Sequence, residues 1–242
     1  MNVVDNFLDK SEYDALYNHI IGSTVTQQFP WYFNSKKIDD VNIDYNFLNL
    51  FPLTLHHLQI DEFENKKQEL IKFAYNLRET TNCTHNSNKG GWQSNVYKVN
   101  GDNFLESLLL NIFKSIPAFN DKIELESFYW LNINPTGAYN TKHNHPNSDL
   151  AGVLWLKIPK DSGDIVFISP TDFESFIELF SYTDEFKKKT NNYHIYNFPP
   201  KEGTMLVFPS FLQHKVEENK SNDDRISVSF NIKIKHEHFT MR

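Results

Sequence analysis

Apolar residues recur at helical spacing through the first half of the chain. Over roughly 62–80, EFENKKQELIKFAYNLRET places Leu70, Phe73, Ala74 and Leu77 on one face. Roughly 103–116, NFLESLLLNIFKSI, makes a second such stretch, and it ends before Pro117. Another begins at Ser11 in SEYDALYNHI, with acidic residues in its first turn and Leu16, Ile20 and Ile21 at helical spacing. From about 123 the period changes. ELESFYWLNIN, LAGVLWLKI, DIVFIS, TMLVFP and RISVSFNIKI are short β-rich runs separated by Pro, Gly, Asn and Asp. The alternation in RISVSFN is complete. Arg225, Ser227, Ser229 and Asn231 share one face, and Ile226, Val228, Phe230 and Ile232 share the other.

Helices first and strands afterwards predict an α+β protein with an antiparallel β-sandwich or barrel. The early helices have no evident core of their own, so they are expected to pack on the outside of the sheet. The chain therefore reads as a single domain over 1–242, with 1–120 mainly helical support and 123–235 the β-rich core. The apolar-poor stretch at about 171–198 reads as an insertion or lid bordering the pocket, with a short helix near 171–189.

Composition narrows the class. With 242 residues, 39% hydrophobic and 15% aromatic, the chain has material for a sizeable core and is unlike a disordered one. The balance of 24 basic against 31 acidic residues gives −7, which disfavours a nucleic-acid partner. The single cysteine, Cys83, makes no intramolecular disulfide and no thiolate metal site by itself, so a reducing, cytoplasmic location is expected. No signal-peptide pattern opens the sequence, and no run approaches the ~18 apolar residues of a membrane helix.

The richest chemistry lies in YNTKHNHP, Tyr139–Pro146. His143 and His145 are two apart, and on an extended strand such residues point to one face, where both imidazoles could reach one ion. A second pair, His236 and His238, reads as a solvated tail. His214 follows an apolar strand, and Arg225 comes eleven residues later, after the turn-rich ENKSNDD. A hairpin about Asn219 and Lys220 would set His214 opposite Arg225 on neighbouring strands. Taken alone, Arg225 reads as a surface residue on a solvent-facing strand, although a barrel interior that binds a carboxylate would show the same polar face. Trp92, Trp130 and Trp155 read as core or pocket-wall aromatics. Cys83 and His85 lack an oriented base for a nucleophilic dyad, and Lys187–Lys189 reads as a solvated helix end.

Four motifs in order carry a resemblance. VVDNFLDKSEYDALYNHI, GGWQS (Gly90–Ser94), WLNINPTGAYNTKHNHPNSDLAGVLWL and FPSFLQHKVEENKSNDDRISVSFN together resemble the 2-oxoglutarate–iron(II) oxygenases of phage and marine bacteria. The resemblance covers most of 1–20 and 88–234 and is weakest over about 171–198. It implies a double-stranded β-helix (jelly-roll) core with N-terminal helices packed on the outside. It also implies a dioxygenase that uses Fe(II) and 2-oxoglutarate to hydroxylate an unidentified substrate. His143, His145 and His214 match the metal positions. Arg225 matches the binder of the cosubstrate carboxylate, and Ser227 and Asn132 match polar positions lining the pocket. The usual carboxylate ligand two residues after the first histidine is replaced by His145, which makes the triad three-histidine. Asp149 is the fallback ligand. Two rivals stay open: a three-histidine dioxygenase that uses no 2-oxoglutarate, and a non-catalytic jelly-roll binding module. A homodimer is compatible with each, and if the protein is phage-encoded its compartment is the bacterial host's cytoplasm.

Overall fold

The structure, a computed structural model, describes residues 53–84, 86–119, 123–170, 182–191 and 193–235. They fall within the compact unit Asn49–Arg242. Four short strands and two helices come first: β1 (His56–Gln59), α1 (Phe63–Thr80), β2 (Asn88–Lys89), β3 (Trp92–Gln93), β4 (Tyr97–Lys98) and α2 (Phe104–Ser115). Then come β5 (Glu124–Asn134), β6 (Tyr139–His143), β7 (Leu150–Lys157), β8 (Ile165–Ile168) and α3 (Asp184–Thr190). The last strands are β9 (Ile195–Phe198), β10 (Thr204–Pro209), β11 (His214–Val216) and β12 (Arg225–Lys235).

Strands β5–β12 form two facing antiparallel sheets. The larger runs β1-β10-β7-β12-β5-β3, with β4 also on β5, and the smaller runs β2-β6-β11-β8-β9. Apart from the β8–β9 pair, each strand in this series lies in the opposite sheet from the one before it. That winding is the jelly roll that the resemblance implies. The register of the eleven-residue strands β5 and β12 holds along their whole length, from Arg225 opposite Asn134 to Lys235 opposite Glu124.

The alternation along β12 sets the layers. Ile226, Val228, Phe230 and Ile232 point outward, together with Leu131 and Ile133 of β5 and Leu154 and Leu156 of β7. Phe63, Leu70 and Ala74 of α1 and Leu105, Leu109, Ile112 and Phe113 of α2 cover them, so both helices bury their apolar stripes against the outer face of the larger sheet. Asn103 caps α2 by accepting from the Glu106 N–H. Glu106 reaches back and accepts from the N–H groups of Asn100, Gly101 and Asp102, each at 3.0 Å. A second apolar group, including Ala151, Val153, Trp155, Phe167, Leu206 and Phe208, fills part of the interior between the sheets. No helix among the described residues is long and apolar enough to cross a membrane.

The structure refines three expectations. Within residues 53–119 the two supporting helices are joined by short strands, β1–β4, which extend both sheets. The stretch read as an insertion contributes β9, which pairs along β8 and whose Phe198 stacks on Trp155 at 5.9 Å. Among the described residues of the stretch only these last four, Ile195–Phe198, are a strand of the barrel. Within the same stretch α3 carries Lys187–Lys189 in its last turn, as expected, while 171–181 lies outside the described residues. Finally, residues 217–224 make no hairpin: β11 pairs with β6 and β8, and β12 with β5 and β7. Asn219 explains the crossing. Fully buried, it donates its side-chain amide to the carbonyls of Asn134 and Asp223 and its N–H to Ala138, so the turn is bonded to a neighbouring loop as well as to itself. The helix expected from Ser11, His85, and the tail pair His236 and His238 lie outside the described residues.

Candidate metal centre and its anion seat

His143 ends β6 and His214 opens β11, and the two are directly opposite in the ladder. His145 follows two residues after His143, and its N–H donates to the Ser210 carbonyl at 2.9 Å, which ties this turn to the one between β10 and β11. One ligand nitrogen from each of the three imidazoles lies within 4.8 Å of the others. Nε2 of His145 is 3.3 Å from Nε2 of His214. With metal–nitrogen bonds of ~2.1 Å, that separation subtends about 100° at a shared ion, between the octahedral and tetrahedral angles. The donor set therefore fits a divalent transition metal.

The electrostatics agree. Burial lowers all three imidazole pKa values, and neighbouring His143 lowers the other two further, leaving His145 at about 4 and His214 at about 3. All three rings are neutral at physiological pH, the form that ligates. Trp130 stacks on His145 at 5.7 Å, and Phe208 and Phe167 stand against His214 at 4.9 and 5.9 Å, which keeps the cluster dry. Asp149 does not join the cluster. Its Oδ2 accepts the Ile234 N–H at 2.7 Å.

Arg225 is 3% exposed and, among the described residues, has no acidic side chain as partner. Its strand neighbour is Asn134, not His214, because the chain changes sheet between them. Nη1 donates to the carbonyl of Ser162, in the loop between β7 and β8, and to that of Glu217 at 3.0 Å, just past the end of β11. Nη2 is buried and makes no hydrogen bond, and neither does the buried Oγ of Ser162. Burial pulls the guanidinium down to about 10, which leaves it charged at neutral pH. Among the described residues this buried cation is held by carbonyl dipoles alone, with an N–H and a hydroxyl left over, a donor set that an anion would satisfy.

Asn132 and Ser227 stand opposite each other in the β5–β12 ladder. The Asn132 amide, however, donates to Ser229, at 3.0 Å. Asn134 donates to Asn88 at 3.1 Å, and the Asn88 amide returns to Asn134 at 3.4 Å. Gly91 makes this possible: a Cβ there would lie 2.6 Å from the Asn88 side chain. Asn88, Ser162 and Ser229 were not singled out from the sequence. For Ser229 the alternation in RISVSFN was the available signal; for the other two there was none.

Residues 128–231 match the family described as "Putative 2OG-Fe(II) oxygenase". Among solved structures, the chain resembles a Pseudomonas putida prolyl-4-hydroxylase at 12% identity, covering 76% of this chain and 94% of that one, with a TM-score of 0.53. The epimerase SnoN from nogalamycin biosynthesis, in complex with Fe3+, alpha ketoglutarate and nogalamycin RO, matches at 13% identity over 75% of this chain and 79% of that one, with a TM-score of 0.51. The alpha ketoglutarate dependent carbocyclase SnoK of the same biosynthesis matches at 10% identity over 74% and 79%, with a TM-score of 0.52. At such identities the likeness is one of fold. No curated protein matches the sequence.

Proposed function

We infer, from the place of residues 128–231 in the 2OG-Fe(II) oxygenase family, that His143, His145 and His214 hold iron(II) and that Arg225 holds 2-oxoglutarate. That family gives the enzyme class, a 2-oxoglutarate- and iron(II)-dependent oxygenase, and with it both cofactors. The finer reading is a dioxygenase that hydroxylates its substrate. One observation carries the cosubstrate assignment: Arg225 Nη2 and Ser162 Oγ are buried without partners on two residues already in contact.

When bound together, the metal and 2-oxoglutarate supply the oxidising chemistry, with dioxygen as oxidant and succinate and carbon dioxide as the cosubstrate's products. The chain's own residues have other tasks. His143 and His214 donate Nδ1–H to the carbonyls of Thr141 and Leu212, at 2.7 and 2.9 Å, and so aim Nε2 into the cluster. Arg225 and Ser162 offer an N–H and an O–H to one carboxylate. The Asn88–Asn134 and Asn132–Ser229 bonds fix the polar wall of β5 and β12. Trp130, Phe167 and Phe208 exclude water from the ligand nitrogens. A three-histidine dioxygenase without 2-oxoglutarate would leave Arg225 Nη2 and Ser162 Oγ unmatched.

Anaerobic equilibrium dialysis tests the metal assignment. The parent protein should bind one iron(II), and His143→Ala, His145→Ala and His214→Ala should each lose most of it, whereas Asp149→Ala should bind like the parent. Retention of iron by all three histidine variants would overturn the assignment.

A further inference from the structure

The three imidazoles are not anchored alike. His143 and His214 each donate Nδ1–H to the carbonyl two residues earlier, at 2.7 and 2.9 Å. A carbonyl only accepts, so both rings carry their proton on Nδ1 and present a lone pair at Nε2. Among the described residues no backbone carbonyl does the same for His145. Its ring is stacked on Trp130 at 5.7 Å and 25°, and its Nε2 approaches that of His214.

Stacking fixes a ring's plane and leaves its tautomer open. Asn231 stands where that choice can be made. It lies on the inward face of β12, opposite Ala151 of β7 and two residues from Ser229, which is itself opposite Trp130. Contact with the Asn231 amide works against the burial that lowers His145. Yet Asn231 Oδ1 is buried and makes no hydrogen bond of good geometry. A buried acceptor thus lies beside the one imidazole of the three whose Nδ1 has no carbonyl partner among the described residues.

We propose that Asn231 is a positioning residue for the metal centre: its amide oxygen accepts the Nδ1–H of His145 and thereby commits Nε2 to the ion. The inference rests on reading the histidine triad as a metal site. It gives all three ligands an outer hydrogen bond, two from the backbone and one from β12. The amide does so without charge, whereas a carboxylate at the same place would add one negative charge beside the ion.

Cobalt(II)-loaded protein provides the test, because each ligating imidazole that keeps its Nδ1–H gives one exchangeable, hyperfine-shifted proton resonance in water. The parent should show three. Asn231→Leu should lose one of them to fast exchange and bind cobalt(II) about 10–100-fold more weakly. Asn231→Asp should keep all three and bind within about threefold of the parent. A purely structural role for Asn231 would change stability and leave three sharp resonances in the leucine variant, which would overturn the proposal; so would two resonances in the parent. If Asn231→Leu does not fold, Asn231→Ala adds no bulk and reads the same signal. Failure of the parent to bind cobalt(II) would overturn the metal reading itself, and is distinguishable because it precedes any effect of the variants.

Discussion

The two faces of the larger sheet are made from alternate residues of the same strands, and they are finished to different degrees. On the outer face Ile226, Val228, Phe230 and Ile232 are fully buried under the helices. The buried acid on that side, Glu106, is satisfied as well, by three backbone N–H groups, the Asn103 amide and the Tyr129 hydroxyl. On the inner side Arg225 Nη2 and Ser162 Oγ are buried without partners among the described residues, whereas beside the outer core one such atom, Trp92 Nε1, is found. Each such group costs roughly 1–3 kcal/mol when nothing answers it. The outer face is packed and its buried acid satisfied, while the inner face holds a buried guanidinium and hydroxyl without partners, so the two sides of one layer are finished differently.

Substitutions should separate the two sides. Phe230→Ala empties a fully buried site that also touches Phe113 at 4.9 Å, and should cost about 3–5 kcal/mol by denaturant unfolding. Metal affinity of the folded fraction should not change; a loss there would show that the faces are coupled and break the comparison.

Glu106→Gln comes next, at about 2 kcal/mol near pH 7, the scale of hydrogen bonds to a charged group. Burial pushes its carboxyl up, but the N–H groups of Asn100, Asp102 and Gly101 and the Tyr129 hydroxyl outweigh this and hold it below the ordinary value of 4.5. A depressed carboxylate stabilises the fold above its unfolded pKa and loses that contribution as pH falls through its folded one. The gap between parent and variant should therefore be full at neutral pH and close below about pH 4.5. A gap that does not depend on pH would show that charge plays no part on this face.

Arg225→Met should have the smallest effect on stability, within about 1 kcal/mol. Removing a buried charge offsets the loss of its two bonds to the carbonyls of Ser162 and Glu217. A loss above about 3 kcal/mol would mark Arg225 as structural and blur the contrast between the faces.

Much of this architecture is legible in the sequence. The helical spacing of Leu70, Ala74 and Leu77 and the alternation from Arg225 to Ile232 are local patterns, and they fall on α1 and β12 as expected. The His-x-His pair is legible from its spacing, although His145 lies beyond the end of β6 and is placed by the turn that its N–H ties to Ser210. What escaped depends on contacts distant in sequence. IYNF of β9 shows no clear alternation, because most of its side chains face outward, and it reads as loop until β8 is beside it. The segment 217–224 is rich in turn residues and reads as a hairpin. Bonds distant in sequence, among them those of Asn219 to Ala138 and Asn134 and of Lys220 to Asp161, tie it to other loops. Ser162 and Asn88 enter the interior through sheet packing, which no motif announces.

The most direct test of the central claim, that the inner face is completed by a dicarboxylate, is an anaerobic titration of 2-oxoglutarate into iron(II)-loaded protein, followed by the metal-to-ligand charge-transfer band. Parent and Arg225→Met should bind iron(II) equally, while the variant should bind 2-oxoglutarate at least tenfold more weakly, given ~1.5–3 kcal/mol for each charge-assisted bond lost. Equal 2-oxoglutarate affinity in the two proteins would contradict the claim.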